Sequence, residues 1–335
     1  MSNSNALFEE LEAGLTSLRL SKQPQPGNYS FHDVEKGVAK GILLKLAMNS
    51  SGTPSLWIGS SDVLSAERNI WQSKGIIATQ SPDGSGATSS WIVIETENLY
   101  TDGIFTSLAT SICANCIEER STKRGTVTGA LEEWRDIFLN NTDGLSLNEL
   151  AGLIGELITL EEIAEVHGPD SLEVWHGFEG ERHDFSRNSI AVETKTKTTT
   201  GDEISINGLR QLEPPIEGKL MLRLVKLELT NSEAISLPGM IKRLCALGVS
   251  QGKLEEGILK AKASPDQITC PTKYFRLIEK AAYRVDEGFP RIIPGLFENK
   301  QCPPGVSGLK YQINIGYAEQ FKTTDSEFIK HIQQL

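Results

Sequence analysis

The run from Ile190 to Lys197 constrains this chain more than any other stretch, because from Val192 onward charged and uncharged side chains alternate without a break. A two-residue period puts Ala191, Glu193, Lys195 and Lys197 on one face of a strand, and Ile190, Val192, Thr194 and Thr196 on the other. One face carries charge and the other packs. A carboxylate and an ammonium two apart on one strand face can hold a hard cation with a water beside it. Asp184, nine positions before Glu193 on a separate short extended run, adds a second carboxylate.

Magnesium prefers oxygen ligands in near-octahedral geometry and keeps several waters, so a protein contributes one or two carboxylates and the substrate its phosphate oxygens. Asp184 and Glu193 are the expected metal ligands. Glu156, on a helix upstream, would reach the metal directly or through water, and the Thr194 carbonyl is a further candidate. Lys195 would orient and help deprotonate an attacking water, or neutralise charge on a phosphorane, while the metal lowers the water's pKa. Manganese is the alternative ion. The expected chemistry is phosphodiester cleavage, with Asp184, Glu193, Lys195 and Glu156 as the catalytic set.

Ser146-Leu147-Asn148-Glu149 is a capping box that opens the helix carrying Glu156. Leu150, Leu153, Ile154, Leu157 and Ile158 form its apolar stripe, and Glu156 lies off that stripe. Gly152, Gly155 and Thr159 share its side. Glycine costs about 1 kcal/mol against alanine inside a helix, so two within one turn imply that a strand or backbone comes close there.

Helix acid, Asp184 and Glu193-Thr194-Lys195, in that order, resemble the PD-(D/E)XK nuclease superfamily. The matching segments are Gly155-Glu156-Leu157, His183-Asp184-Phe185 and Glu193-Thr194-Lys195, with His183 where the superfamily name expects proline. Arg210-Gln211-Leu212 follows at the start of the next predicted helix, where relatives often place a DNA-contacting polar residue. Lys197, Arg210 and Gln211 are therefore the expected substrate-binding residues. Trp134-Arg135-Asp136-Ile137-Phe138, Gly152 to Leu157, Phe289-Pro290-Arg291 and Tyr311-Gln312-Ile313 look like a narrower family of PD-(D/E)XK proteins associated with bacterial restriction systems, whose own function is inferred. That likeness covers most of the chain.

The resemblance implies an α/β fold: a restriction-endonuclease-like core (helix, β-meander, helix, strand) over residues 141–335, after an N-terminal α+β domain of unknown role over 1–140. It implies a magnesium-dependent DNA endonuclease of a restriction or phage-defence system. Its partners would be DNA and other restriction subunits, such as an ATPase or helicase or a methyltransferase, with a homodimer as one route to cutting both strands. The competing reading is a catalytically inactive nuclease-fold subunit that binds DNA or serves as a scaffold.

Charge divides the chain. The net charge is -11 over 335 residues, yet residues 1–190 hold 13 Lys and Arg against 27 Asp and Glu, whereas residues 191–335 hold 20 against 17. The basic residues after the proposed site fit a phosphate-tracking surface or mixed solvated faces. The acidic first half argues against strong autonomous DNA binding. No basic n-region or apolar h-region opens the chain, and no stretch approaches bilayer length, so a cytoplasmic protein is expected. Five cysteines, an odd number, fit reduced thiols. Cys113 and Cys116 have no nearby partner pair and read as packing. The five histidines form no metal-ligand spacing, and His183 reads as surface or strand packing. A phosphate-binding loop is absent, so no ATP hydrolysis is expected.

Along the chain, a helix is expected over 6–20, broken by Gln23-Pro24-Gln25-Pro26-Gly27. Strands follow near 38–48, 54–59, 74–80 and 91–97, with a turn at 81–86, then helices near 102–119 and 126–140. Trp57, Trp71 and Trp91 are expected in the core. Leu172 to His176 is the expected first strand of the meander. Leu220 to Leu229 forms a later strand, followed by helices from Pro238 and around Lys253, strands near 274–285 and 309–316, and a closing helix near 318–333.

Overall fold

Alternating apolar residues in the first hundred positions make antiparallel strands, because a two-residue period gives each strand one face to bury. The computed structural model describes residues 3–63, 68–73, 75–83, 88, 90–96, 101–140, 144–198, 201–232, 234–297, 305–306 and 308–335, without the side chains of 3–5, 136–140 and 179. It forms two units: Met1–Asp143 with Ser264–Thr269, and Gly144–Ala263 with Cys270–Leu335.

The first unit runs α1 (Asn3–Leu20), β1 (Tyr29–Asp33), α2 (Glu35–Val38), β2 (Leu44–Asn49), β3 (Pro54–Ser60), β4 (Asn69–Ser73), β5 (Ile76–Pro82), β6 (Ser90–Thr96), α3 (Asp102–Glu119) and α4 (Arg124–Asn140). Its strands form one antiparallel sheet in the order β1-β2-β3-β6-β5-β4. Register aligns Leu46, Leu56, Ile94 and Ala78 on one buried face. Leu7, Leu11, Leu15 and Leu18 recur at helical spacing on α1, are buried, and pack the helix on β1, β2 and α3. On the sheet's other face Tyr29, Phe31 and Trp91 meet Trp57 edge-on, with ring centroids 5.3, 5.2 and 6.0 Å away.

Several expectations are corrected in this unit. The strand expected from residue 38 starts at Leu44, because α2 and the turn at Gly41 (φ +74°) take up the preceding residues. Strands β1 and β4 had not been anticipated. Only Trp91 of the three tryptophans is buried, while Trp57 and Trp71 are half-buried on the sheet and Trp71 donates its indole hydrogen to Glu132. Ser81 and Pro82 continue β5, and Gly84 to Gly86 lie outside the described residues. Cys113 and Cys116 are buried in α3, and burial pushes the Cys116 thiol up to about 12.

The second unit contains α5 (Leu147–His167), β7 (Phe185–Arg187), β8 (Ile190–Lys197), β9 (Glu203–Asn207), β10 (Lys219–Thr230), α6 (Leu237–Ala246) and α7 (Gln251–Lys260). After α8 (Pro265–Thr269), which belongs to the first unit, come β11 (Tyr274–Arg284), β12 (Lys310–Asn314), β13 (Lys322–Thr323) and α9 (Asp325–Ile332). The main sheet has the order β13-β11-β10-β8-β7, with β8 and β10 parallel and the other pairs antiparallel. Helix α5 covers one face of it. The other face buries Ala191, Leu220, Leu222 and Leu224 against Ile204, Ile206 and Ile313 of a separate antiparallel ribbon, β9 with β12. This is the α/β, restriction-endonuclease-like architecture expected.

Its connections differ from the expected ones at three places. Leu172 to Val174 belong to a 3-10 helix, and only Trp175 bridges to Phe185. Gly168-Pro169-Asp170 starts that helix, since a proline in the first turn has its φ preset and needs no N–H partner. Arg210 and Gln211 lie in bends and turns: Gly208 at φ +111° and Pro214-Pro215 leave no room for a helix between β9 and β10. The closing helix is broken into a 3-10 helix over Ile315–Phe321, the short β13, and α9, which Thr324 and Glu327 restart with a capping box.

Two glycines on α5 have opposite surroundings. A Cβ on Gly155 would overlap Thr196 Oγ1, and the Thr196 Cβ would stand only 3.0 Å away, so rotating that side chain does not clear the clash. A Cβ on Gly152 would have nothing within 4 Å. Gly152→Ala should therefore raise stability by about 0.5–1 kcal/mol through helix propensity. Gly155→Ala should lower it by on the order of 1 kcal/mol, because overpacking outweighs the same gain. Thermal melting of both variants checks this, and shifts of the same sign would refute it.

Candidate functional site

Strand β7 pairs with β8 through Phe185↔Val192 and Arg187↔Ile190, and continuing that register brings Asp184 beside Glu193. The Thr194 N–H donates to Asp184 Oδ2 at 2.7 Å, and the His176 N–H donates to the Asp184 carbonyl at 2.7 Å. Asp184 is thus fixed at both backbone and side chain. The uncharged face of β8 meets α5: Thr194 Oγ1 donates to Thr159 Oγ1 at 3.1 Å, and Thr196 Oγ1 to the Gly152 carbonyl at 3.4 Å. Glu193 and Lys195 take the opposite face, where Lys195 Nζ lies 2.8 Å from Glu193 Oε1.

Glu156 leaves α5 toward the same acids. Its Oε2 accepts the Trp175 indole hydrogen at 3.0 Å. A Cβ on Gly177 would overlap that oxygen and lie 3.3 Å from Asp184 Oδ1, so the missing side chain is what lets helix acid and strand acid approach. A cleft of about 610 Å³ opens over this point, lined by Glu156, Asp184 and Lys195, with Lys197, Gln211 and Gln312 farther along it.

Three acids face one ammonium here. Burial, and then the charge of Asp184, pushes Glu156 up to about 8. Burial also raises Asp184, against the pull of Lys195 and the Thr194 N–H. Glu193 is held well above the usual carboxylate range by burial and then by Asp184, although Lys195 opposes this. Burial would lower Lys195, but Glu193, Asp184 and Glu156 together keep it above its ordinary value.

Glu193 is 1% exposed, and among the described residues the one donor at its carboxylate is the Lys195 ammonium, 2.8 Å from Oε1. One ammonium shared among three buried acids leaves their charge under-compensated, which is costly unless something more offsets it. An oxygen-only donor set of this kind fits a hard divalent cation. Among the described residues, no three acid, histidine or cysteine side chains are drawn close enough to enclose an ion as placed. His183 is turned away, with Nε2 at 3.1 Å from the Glu213 carbonyl, and burial lowers its pKa to about 4.

Of the expected substrate residues, Lys197 is buried with Nζ 3.9 Å from Asp202, and it lines the cleft together with Gln211. Gln211 Oε1 accepts the Asn207 N–H at 2.9 Å. Arg210 is exposed and does not line the cleft; its carbonyl accepts a hydrogen bond from Arg182 at 3.0 Å. Trp175 and Gly177 support the site but carry no local motif. Ser205, Asn207 and Gln312 also line the cleft. The alternation along β9 could have marked the first two as one outward face.

A family model described as "Putative PD-(D/E)XK family member, (DUF4420)" matches residues 19–316, and the chain belongs to that family. No curated protein and no solved structure matches it.

The raised Glu156 pKa has a definite sign in stability. Between its ordinary value of 4.5 and about 8, the unfolded chain has lost the proton and the folded chain retains it. Metal-free stability should therefore fall as pH rises through that window, by up to about 1.4 kcal/mol per pH unit. His183, kept neutral in the fold down to about pH 4, works in the opposite direction below its ordinary 6.5. Comparison with Glu156→Gln cancels that contribution. Melting temperatures from pH 5 to 8 in chelator should decline less steeply for Glu156→Gln, and identical slopes would exclude the assignment.

Proposed function

We propose that this member of the PD-(D/E)XK family is a divalent-cation-dependent endonuclease that hydrolyses phosphodiester bonds in DNA. The reading extends to a cytoplasmic restriction or phage-defence system, with further subunits such as an ATPase or helicase or a methyltransferase. The observation that carries it is the gathering of Glu156, Asp184 and Lys195 on one cleft beside Glu193, so that three buried acids share one ammonium.

Asp184 and Glu193, with Glu156, would hold magnesium or manganese, which supplies Lewis acidity toward a phosphate and an attacking water. Lys195 faces three acids that keep it protonated, so it serves better to orient the water and neutralise phosphorane charge than to abstract a proton. The Thr194 N–H occupies Asp184 Oδ2 and leaves Oδ1 toward the cleft. Trp175 occupies Glu156 Oε2, leaving Oε1 to carry the proton. Lys197 and Gln211 would contact substrate inside the cleft, and Arg210 a phosphate outside it.

The second reading is a non-catalytic DNA-binding or scaffolding subunit. A net charge of -11 favours it, as does the spacing of the acids.

Plasmid nicking with magnesium or manganese, run with candidate partner proteins present, separates the two. Asp184→Ala and Glu193→Ala should reduce cleavage to background, keep or raise metal-free stability, and lose the stabilisation that added metal gives the wild type. Lys195→Ala should still gain stability from metal but lose about 100-fold or more in rate. Equal cleavage by wild type and Glu193→Ala, or no response to any divalent metal, would favour the scaffold.

A further inference from the structure

The ribbon of β9 and β12 has two unlike faces. Its register pairs Glu203 with Asn314, Ser205 with Gln312 and Asn207 with Lys310, and all six residues are exposed. The residues between them, Ile204, Ile206 and Ile313, are buried in the core. Stability therefore accounts for the inner face and leaves the outer one unexplained.

Ser205, Asn207 and Gln312 line the same cleft as Glu156, Asp184 and Lys195. Among the described residues, the side chains of these three make no hydrogen bond within the chain, whereas Gln211 Oε1 is already taken by the Asn207 N–H. Carboxamides offer a donor and an acceptor side by side, which is the pairing that adenine presents at N7 and N6 in the major groove. A two-stranded ribbon also matches that groove, roughly 12 Å wide. Lys310, opposite Asn207 on the ribbon, and Arg210, three residues past Asn207, are exposed cations that suit phosphate contact.

We infer that the outer face of the β9–β12 ribbon reads duplex DNA in the major groove, with Asn207 and Gln312 as adenine-contacting carboxamides and Ser205 opposite Gln312. This names the recognition element of the proposed nuclease and rests on that reading. Lys310 and Arg210 hold the backbone and set no sequence.

The test binds the full chain, in chelator, to duplexes with a randomised core, and sequences what is retained. Wild type should enrich an adenine-containing motif. Asn207→Ala and Gln312→Ala should each lose preference at one position, on the order of 10-fold, with unchanged melting and unchanged affinity for unrelated duplex. Replacing that adenine by 7-deaza-adenine removes the N7 acceptor, and it should weaken the wild type by a similar factor while leaving the matching variant indifferent. A motif that survives in both variants, or no wild-type enrichment, overturns the proposal. Metal-dependent nicking measured in parallel distinguishes the failures: nicking that persists sinks the ribbon alone, and its absence sinks the nuclease reading too.

Discussion

The close approach of α5 to β8 is the constraint on which the second unit depends. Gly155 sits against Thr196, and Thr159 and the Gly152 carbonyl take hydrogen bonds from Thr194 and Thr196. A helix normally stands off a sheet by the length of its side chains. Here one glycine removes that spacer, and strand threonines satisfy polar groups on the helix that burial would otherwise leave costly. Because the helix lies this near, Glu156 can reach the acid that immediately precedes β7. The buried Glu162 carboxylate on α5 anchors its far half, accepting from Arg223 of β10 at 2.9 and 2.5 Å and from Lys280 of β11 at 2.6 Å. With the exposed Asp325 3.6 Å from Arg223, that ion cluster balances two cations against two acids.

The candidate site lacks that balance, and the contrast separates support from chemistry. Glu156, Asp184 and Glu193 share Lys195, and all three carboxyls are raised. Like charges in a shared low-dielectric site favour protonation or a cation, and both keep the groups ready for proton or metal chemistry. An arrangement selected for stability alone would resemble Glu162 with Arg223. The cost of the raised acids is carried by the packed surroundings, including Trp175, Val192 and the core on the ribbon side.

Much of this was legible locally. The alternation from Val192 to Lys197 separates a charged face from a packing face, since strand side chains must alternate, and the structure sets the packing face against α5. The capping box located the start of α5, and the off-stripe position of Glu156 marked it as a residue that does not pack. Connections were less legible. Leu172 to His176 looked like a strand by composition, yet Pro169 and Asp170 upstream impose a 3-10 turn; Arg210-Gln211-Leu212 looked helical, yet the prolines after it prevent a helix. Each was decided by a neighbour outside the window that carried the pattern.

By itself the sequence determined the faces, the caps and the order of the acids along the chain, because these follow from backbone geometry and short-range hydrogen bonding. Only the tertiary structure decided that Glu193 would be buried with two other acids around one ammonium, that Gly177 would make room between two acids, and that Gln312 would join Ser205 on one ribbon. Pairings across more than a hundred residues leave no periodic trace. Desolvation, which shifts the acids most, depends on what covers a face, and no local pattern states that.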